Sequence, residues 1–167
     1  SQQWNLENVE VPFAWNLHTG RHTTGVLVAV IDTGIDYNHP ELKSQFVPFG
    51  YNWVKMSPDV KDDNGHGTHC AGIIAAAFNN SKGIAGIANV RVMGEKVLNS
   101  EGWGTLRSTS NGIRNAADKG ANIISMSFGS YTDMITLKEA VKYAAERNIL
   151  LVASAGNDGE NRDIYPC

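Results

Sequence analysis

The stretch Val26-Leu27-Val28-Ala29-Val30-Ile31 decides the fold. It is apolar without alternation and rich in β-branched residues, which predicts a strand covered on both faces. Residues 90–97, 122–126 and 149–153 predict three more strands. Helical patterns lie between them. Residues 68–78 are small and apolar all round, as in a buried helix. Residues 105–119 open on Thr105 as a cap and close on Gly120. From Thr132 and Asp133 to Arg147, capping residues are followed by Leu137, Val141 and Ala144 on one side and a basic last turn. Helices of this length between buried strands imply right-handed crossovers. The predicted class is α/β, a parallel β-sheet flanked by helices.

Composition narrows the function only a little. At 167 residues the chain suits one domain, and 42% hydrophobic content excludes a disordered one. Fourteen basic and 17 acidic residues give a net charge of -3 without a basic run, which argues against a nucleic-acid partner or a charged-membrane role. No apolar run is long enough to span a bilayer. The opening Ser1-Gln2-Gln3 is compatible with a processed start. Cys70 and Cys167 make no disulfide framework and leave the redox compartment open.

In parallel sheets the working residues gather beyond the carboxyl ends of the strands. Three of those ends carry polar residues beside glycine: Asp32-Thr33-Gly34, Ser127-Phe128-Gly129 and Ser154-Ala155-Gly156-Asn157. Each alone is ordinary turn chemistry. Asp-Thr-Gly after an apolar strand would also suit an aspartic protease or an actin-like ATPase. The helices contradict the first, and the missing Gly-rich phosphate loops contradict the second.

A further signal is Asp62-Asp63-Asn64-Gly65-His66-Gly67-Thr68-His69-Cys70. His66, His69 and Cys70 share a helix face as a zinc set would, yet no Glu base and no fourth ligand accompany them. His69 and Cys70 suit a packed helix. His66, between glycines at the helix start, suits an accessible general base, oriented by a carboxylate such as Asp32.

Asp32-Thr33-Gly34, His66-Gly67-Thr68-His69 and Ala155-Gly156-Asn157, in this order and at these separations, resemble the subtilisin-like serine proteases. Lys96-Val97-Leu98-Asn99 and Gly102-Trp103-Gly104 add to the likeness. The resemblance implies that residues 1–167 are the N-terminal part of a single peptidase domain. By position, Asp32 would orient His66, His66 would shuttle the proton, and Asn157 would donate to the oxyanion. Ser127, Phe128 and Gly129 would form one wall of the pocket for the residue before the scissile bond, with Ser154 to Gly156 opposite. Asp158 at its rim hints at tolerance for basic residues. Gly102, Trp103 and Gly104 would pair with an extended substrate strand.

The resemblance also implies a structural Ca²⁺, held by Gln2, Glu41 and Asn80 side chains and the carbonyls of Phe78, Lys82 and Ile84. Secretion and removal of a propeptide are implied as well. The family's nucleophile lies in a Gly-Thr-Ser-Met-Ala segment beyond the oxyanion Asn, which this sequence does not contain. The expectation is that the chain alone is inactive and works with a C-terminal piece carrying the serine, cutting peptide or protein substrates. The alternative is a pseudoprotease or fragment that only holds a peptide, propeptide or inhibitor. A scaffold without a site would have no reason to keep Asp32, His66 and Asn157 together.

Overall fold

Strand β1, Leu27–Asp32, is buried along its whole length, because both of its faces are covered. The computed structural model describes residues 3–18 and 25–167. After helices α1 (Trp4–Asn8) and α2 (Val11–Leu17), β1 alternates with α3 (His66–Ala75), β2 (Arg91–Lys96), α4 (Leu106–Asp118), β3 (Ile123–Met126), α5 (Ile135–Ala145) and β4 (Leu150–Ala153). The four strands form one parallel sheet in the order β2-β1-β3-β4. The α/β class expected from the sequence is the one observed.

Alternation within β1 divides the core into two layers. Ala29 and Ile31 point to the side packed by α4 and α5, with Ile113, Ala116, Ile124 and Leu137. Val28 and Val30 point to the other side, where Ala71 and Ala75 of α3 cover them. Helices on opposite faces follow from the crossovers, and the sheet's carboxyl edge is left open between them.

Local chemistry sets the helix ends. Thr105 caps α4 reciprocally with Ser108, and Gly120 follows its end at φ +79°. Helix α3 begins two residues earlier than its apolar pattern and ends three earlier, where Ala76 turns to extended backbone and the Ala77 N–H donates to the Glu41 carbonyl at 2.9 Å. Helix α5 lacks the expected cap. It starts at Ile135 with Met134 in the cap position, and Asp133, one residue earlier, pairs with Lys138 at 2.6 Å. Helices α1 and α2 carry no strong periodic signal. They are pinned by the Gln3 amide, which exchanges bonds of 2.9 and 3.0 Å with the Ala85 backbone, and by the Trp15 indole on the Ile87 carbonyl at 2.8 Å. Among the described residues no helix is long and apolar enough to cross a membrane.

Candidate functional site

Asp32 is the last residue of β1, and His66 is the first of α3. The sheet therefore delivers the carboxylate, and the helix start delivers the imidazole. His66 Nδ1 lies 2.7 Å from Asp32 Oδ1. The Asp32 side chain is 0% exposed and the His66 side chain 48%, so the carboxylate is sequestered while the ring faces solvent. Asp32 Oδ1 also accepts from the Thr33 N–H at 2.7 Å. A carboxylate only accepts, so Nδ1 carries the proton and Nε2 keeps a free lone pair.

Close approach of the two elements depends on glycine. A Cβ on Gly67 would lie 2.2 Å from the Gly34 carbonyl oxygen and 3.1 Å from the Asp32 Cβ. Any side chain there would push α3 off the turn that follows β1.

Asp62 ties the same two segments together. Its carboxylate accepts from Thr33 Oγ1 at 2.8 Å, from the Asn64, Gly65 and Thr68 N–H groups at 3.0 Å each, and from Thr68 Oγ1 at 2.6 Å. Thr33 Oγ1 accepts in turn from the Gly67 N–H at 2.9 Å. Partial burial opposes the Asp62 charge, but the Gly65, Thr68 and Asn64 donors outweigh it and hold the carboxyl at about 2. Lys96 is a second brace. Its buried ammonium donates to the Thr33 and Leu98 carbonyls and, at 2.6 Å, to Asp63. These roles escape a reading of motifs, although a lysine inside the buried run of β2 is a sign that carboxylate and carbonyl partners await it.

Beside Lys96, Glu95 is buried on the α4 side. Trp53 Nε1 and Asn115 Nδ2 each donate to it at 2.7 Å. Burial pushes its carboxyl up to about 8, the donors from Trp53 and Asn115 offsetting only part of the effect.

A cavity of about 550 Å³ runs from His66 along the open sheet edge, lined by Leu98, Gly102, Trp103, Gly104, Ser127, Phe128, Gly129 and Tyr165 among others. Six of the sequence-derived groove residues, Gly102, Trp103, Gly104, Ser127, Phe128 and Gly129, line it together with His66, whereas Ser154 and Gly156 do not. Residues 98–104 form a tight turn: Leu98 bridges Gly104, and Asn99 Oδ1 accepts from the Trp103 N–H at 2.9 Å. Trp103 stands 74% exposed at its tip. Residues 127–129 and 154–156 leave adjacent strands, with the Ser154 N–H on the Met126 carbonyl at 3.1 Å and its hydroxyl on the Phe128 carbonyl at 3.3 Å. Asn157 is exposed in the turn after β4 and does not line this cavity.

The zinc alternative loses its ligand set. Asp32, His66 and Cys70 offer atoms within 4.8 Å of one another, whereas His69 is exposed and lines a separate 360 Å³ cavity with Glu41. Cys70 is half-buried, and burial pushes its thiol up despite a hydrogen bond with Ser127. A thiol kept protonated is a poor substitute nucleophile.

For calcium, the residues fit a hard cation. Glu41 is buried, and both of its oxygens accept from Asn80 Nδ2 at 3.1 Å. Among the described residues no basic side chain pairs with it. A buried carboxylate facing only neutral donors on the loop bearing Phe78, Asn80, Lys82 and Ile84 suits Ca²⁺. Gln2 lies outside the described residues. Its neighbour Gln3 reaches Ala85 at the end of that loop.

Residues 23–165 match the subtilase family. The chain is 41% identical over 167 residues to thermitase of Thermoactinomyces vulgaris, covering 99% of this chain and 58% of thermitase. It is 41% identical over 165 residues to a thermophilic serine proteinase of Bacillus sp. (strain AK1), covering 98% and 40%. With subtilisin BL of Lederbergia lenta it shares 40% over 167 residues, covering 99% and 60%. The chain spans about half the length of these curated relatives.

Proposed function

Because the chain belongs to the subtilase family, we propose that it supplies the acid–base half of a serine endopeptidase. The observation that carries this reading is the 2.7 Å bond between the buried Asp32 carboxylate and the half-exposed His66 ring at the edge of the 550 Å³ groove.

In this reading Asp32 fixes the His66 tautomer and stabilises the imidazolium. His66 Nε2 takes the proton of a serine hydroxyl as its oxygen bonds to the peptide carbonyl carbon. The Asn157 side-chain amide donates to the oxyanion that forms. His66 then returns the proton to the departing amine as the C–N bond breaks, and water releases the acyl group by the same steps. The serine belongs to a segment outside these 167 residues, which hold no Gly-Thr-Ser-Met-Ala sequence. Residues 102–104 would pair with the substrate backbone, and the walls at 127–129 and 154–156 would hold the side chain before the scissile bond.

Glu41, Asn80 and the carbonyls of Phe78, Lys82 and Ile84, with Gln2, would hold a structural Ca²⁺ that fastens the loop after α3 to the N-terminal segment. Peptide substrates, secretion and a removable propeptide accord with the family. The relatives' names, thermitase and subtilisin, support proteolysis as the activity of the whole protein.

Mass spectrometry of the full-length protein after fluorophosphonate treatment tests the reading. A covalent adduct on a serine beyond Cys167, abolished by His66→Ala, is expected. An unlabelled protein that still binds peptides would instead establish the non-catalytic, peptide-holding alternative.

A further inference from the structure

The two proposed pocket walls leave the sheet side by side, since Met126 of β3 pairs with Ala153 of β4. Each wall ends in a glycine, Gly129 on one and Gly156 on the other. Between them stands a side chain that neither motif contains. A Cβ on Gly156 would lie 2.5 Å from Ile164 Cδ1, and one on Gly129 would lie 3.5 Å from Ile164 Cδ1 and Cγ2. Ile164 therefore touches both walls at once.

Its position is fixed from both sides along the chain. Tyr165 and Ser130 exchange two backbone hydrogen bonds of 2.9 Å each, which ties the residue after Ile164 to the residue after Gly129. Two residues before it, the Arg162 guanidinium lies 3.6 Å over the Tyr131 ring. The β-branched side chain has few rotamers with which to move aside. On the side of Gly156 away from residues 127–129, Ile164 borders a cavity of about 150 Å³ that Ala155, Gly156, Asp158 and Arg162 also line. The groove on the His66 side measures about 550 Å³.

We infer that Ile164 fills the slot between residues 127–129 and 154–156, restricting cleavage to peptides with glycine, alanine or serine before the scissile bond. The inference rests on the peptidase reading above and names its substrate class. A phenyl, leucyl or lysyl side chain would have to displace Ile164 and, with it, the Ser130–Tyr165 pair. Asp158 cannot recruit a lysine past it. Selection among longer side chains then falls to the wider groove beyond His66.

The test is hydrolysis by the full-length protein of quenched-fluorescent peptides differing only at the residue before the cleaved bond: alanine, serine, leucine, phenylalanine or lysine. The expected result is a kcat/KM for alanine about 100-fold above that for phenylalanine, of the order that steric exclusion from a fitted pocket produces. Ile164→Gly should raise the phenylalanine value about 100-fold and leave the alanine value within a few-fold. Ile164→Val, which keeps the branch and folds conservatively, should shift the ratio a few-fold in the same direction. Equal cleavage of alanine and phenylalanine peptides by the natural sequence, or a ratio unmoved in both variants, would overturn the role of Ile164 while leaving the peptidase reading intact. Failure to cleave any peptide, together with absence of a fluorophosphonate adduct, would overturn both.

Discussion

The two sides of the sheet are finished to different degrees. Strand β1 is buried at every position, whereas β4 shows 60% of Leu150 and 48% of Val152 to solvent. Register makes the contrast sharp. Val28 pairs with Ile123, which pairs with Leu150, so β1 and β4 present equivalent positions to the same face of the sheet. Helix α3 packs on that face over β1 and β2, away from β4. The site divides along the same line. The Asp32–His66 pair sits where packing is complete and braced by Asp62 and Lys96, while the walls at 127–129 and 154–156 and the exposed Asn157 lie on the open side. The side chains that brace the Asp32–His66 pair lie within residues 33–96, and the proposed walls lie toward the strand that these residues leave exposed.

The largest effect should come from the closed side. Asp32→Asn in the full-length protein is expected to lower kcat for peptide hydrolysis about 10⁴-fold, as loss of the orienting carboxylate does in serine proteases, with little change in KM. A loss below tenfold would detach the Asp32–His66 pair from catalysis.

Next comes Glu95. Its folded pKa of about 8 lies above the ordinary 4.5. The native state therefore keeps a proton that the unfolded chain has released, and stability falls as pH rises from about 4.5 to about 8. Urea unfolding across that range should show a decline of about 3–5 kcal/mol that Glu95→Gln flattens. A natural sequence with no slope would mean that Glu95 is charged and paired at neutral pH.

A matched pair of double variants probes the contrast directly. Val28→Thr with Val30→Thr buries two hydroxyls among apolar neighbours and should cost residues 1–167 about 3 kcal/mol or more. Leu150→Thr with Val152→Thr should cost under about 1 kcal/mol and reduce binding of a hydrophobic dye. Equal costs would show that the β4 face is covered in solution, by self-association for instance, which sedimentation would detect. Smallest of all, Trp103→Ala should leave the melting temperature unchanged and alter KM by a few-fold, because the side chain is exposed at the tip of its turn.

How much of this was legible beforehand follows from how local each cause is. The apolar run at 26–31 announces a doubly covered strand because each residue reports its own burial. Glycines around His66 mark a helix start where an imidazole can meet a strand-end carboxylate. The bracing by Lys96 and Asp62 was harder to read, since a buried charge is explained only by partners that tertiary folding brings. Asp133 reads as a cap in the sequence, yet the helix starts one residue too late for it, and its carboxylate pairs with Lys138. Ile164 was invisible for a different reason. Its meaning lies in two glycines, one of them 35 positions away, and a glycine reports nothing about what occupies the space it leaves. Helices α1 and α2 are only five and seven residues long, too short to leave a periodic trace.

The shared Asp62 carboxylate has a dynamic consequence. Thr33 and Thr68 hang from one group, and they flank Asp32 and His66 respectively. A displacement of Asp62 pulls on both threonines at once, so the segments that carry Asp32 and His66 are mechanically coupled through a single carboxylate.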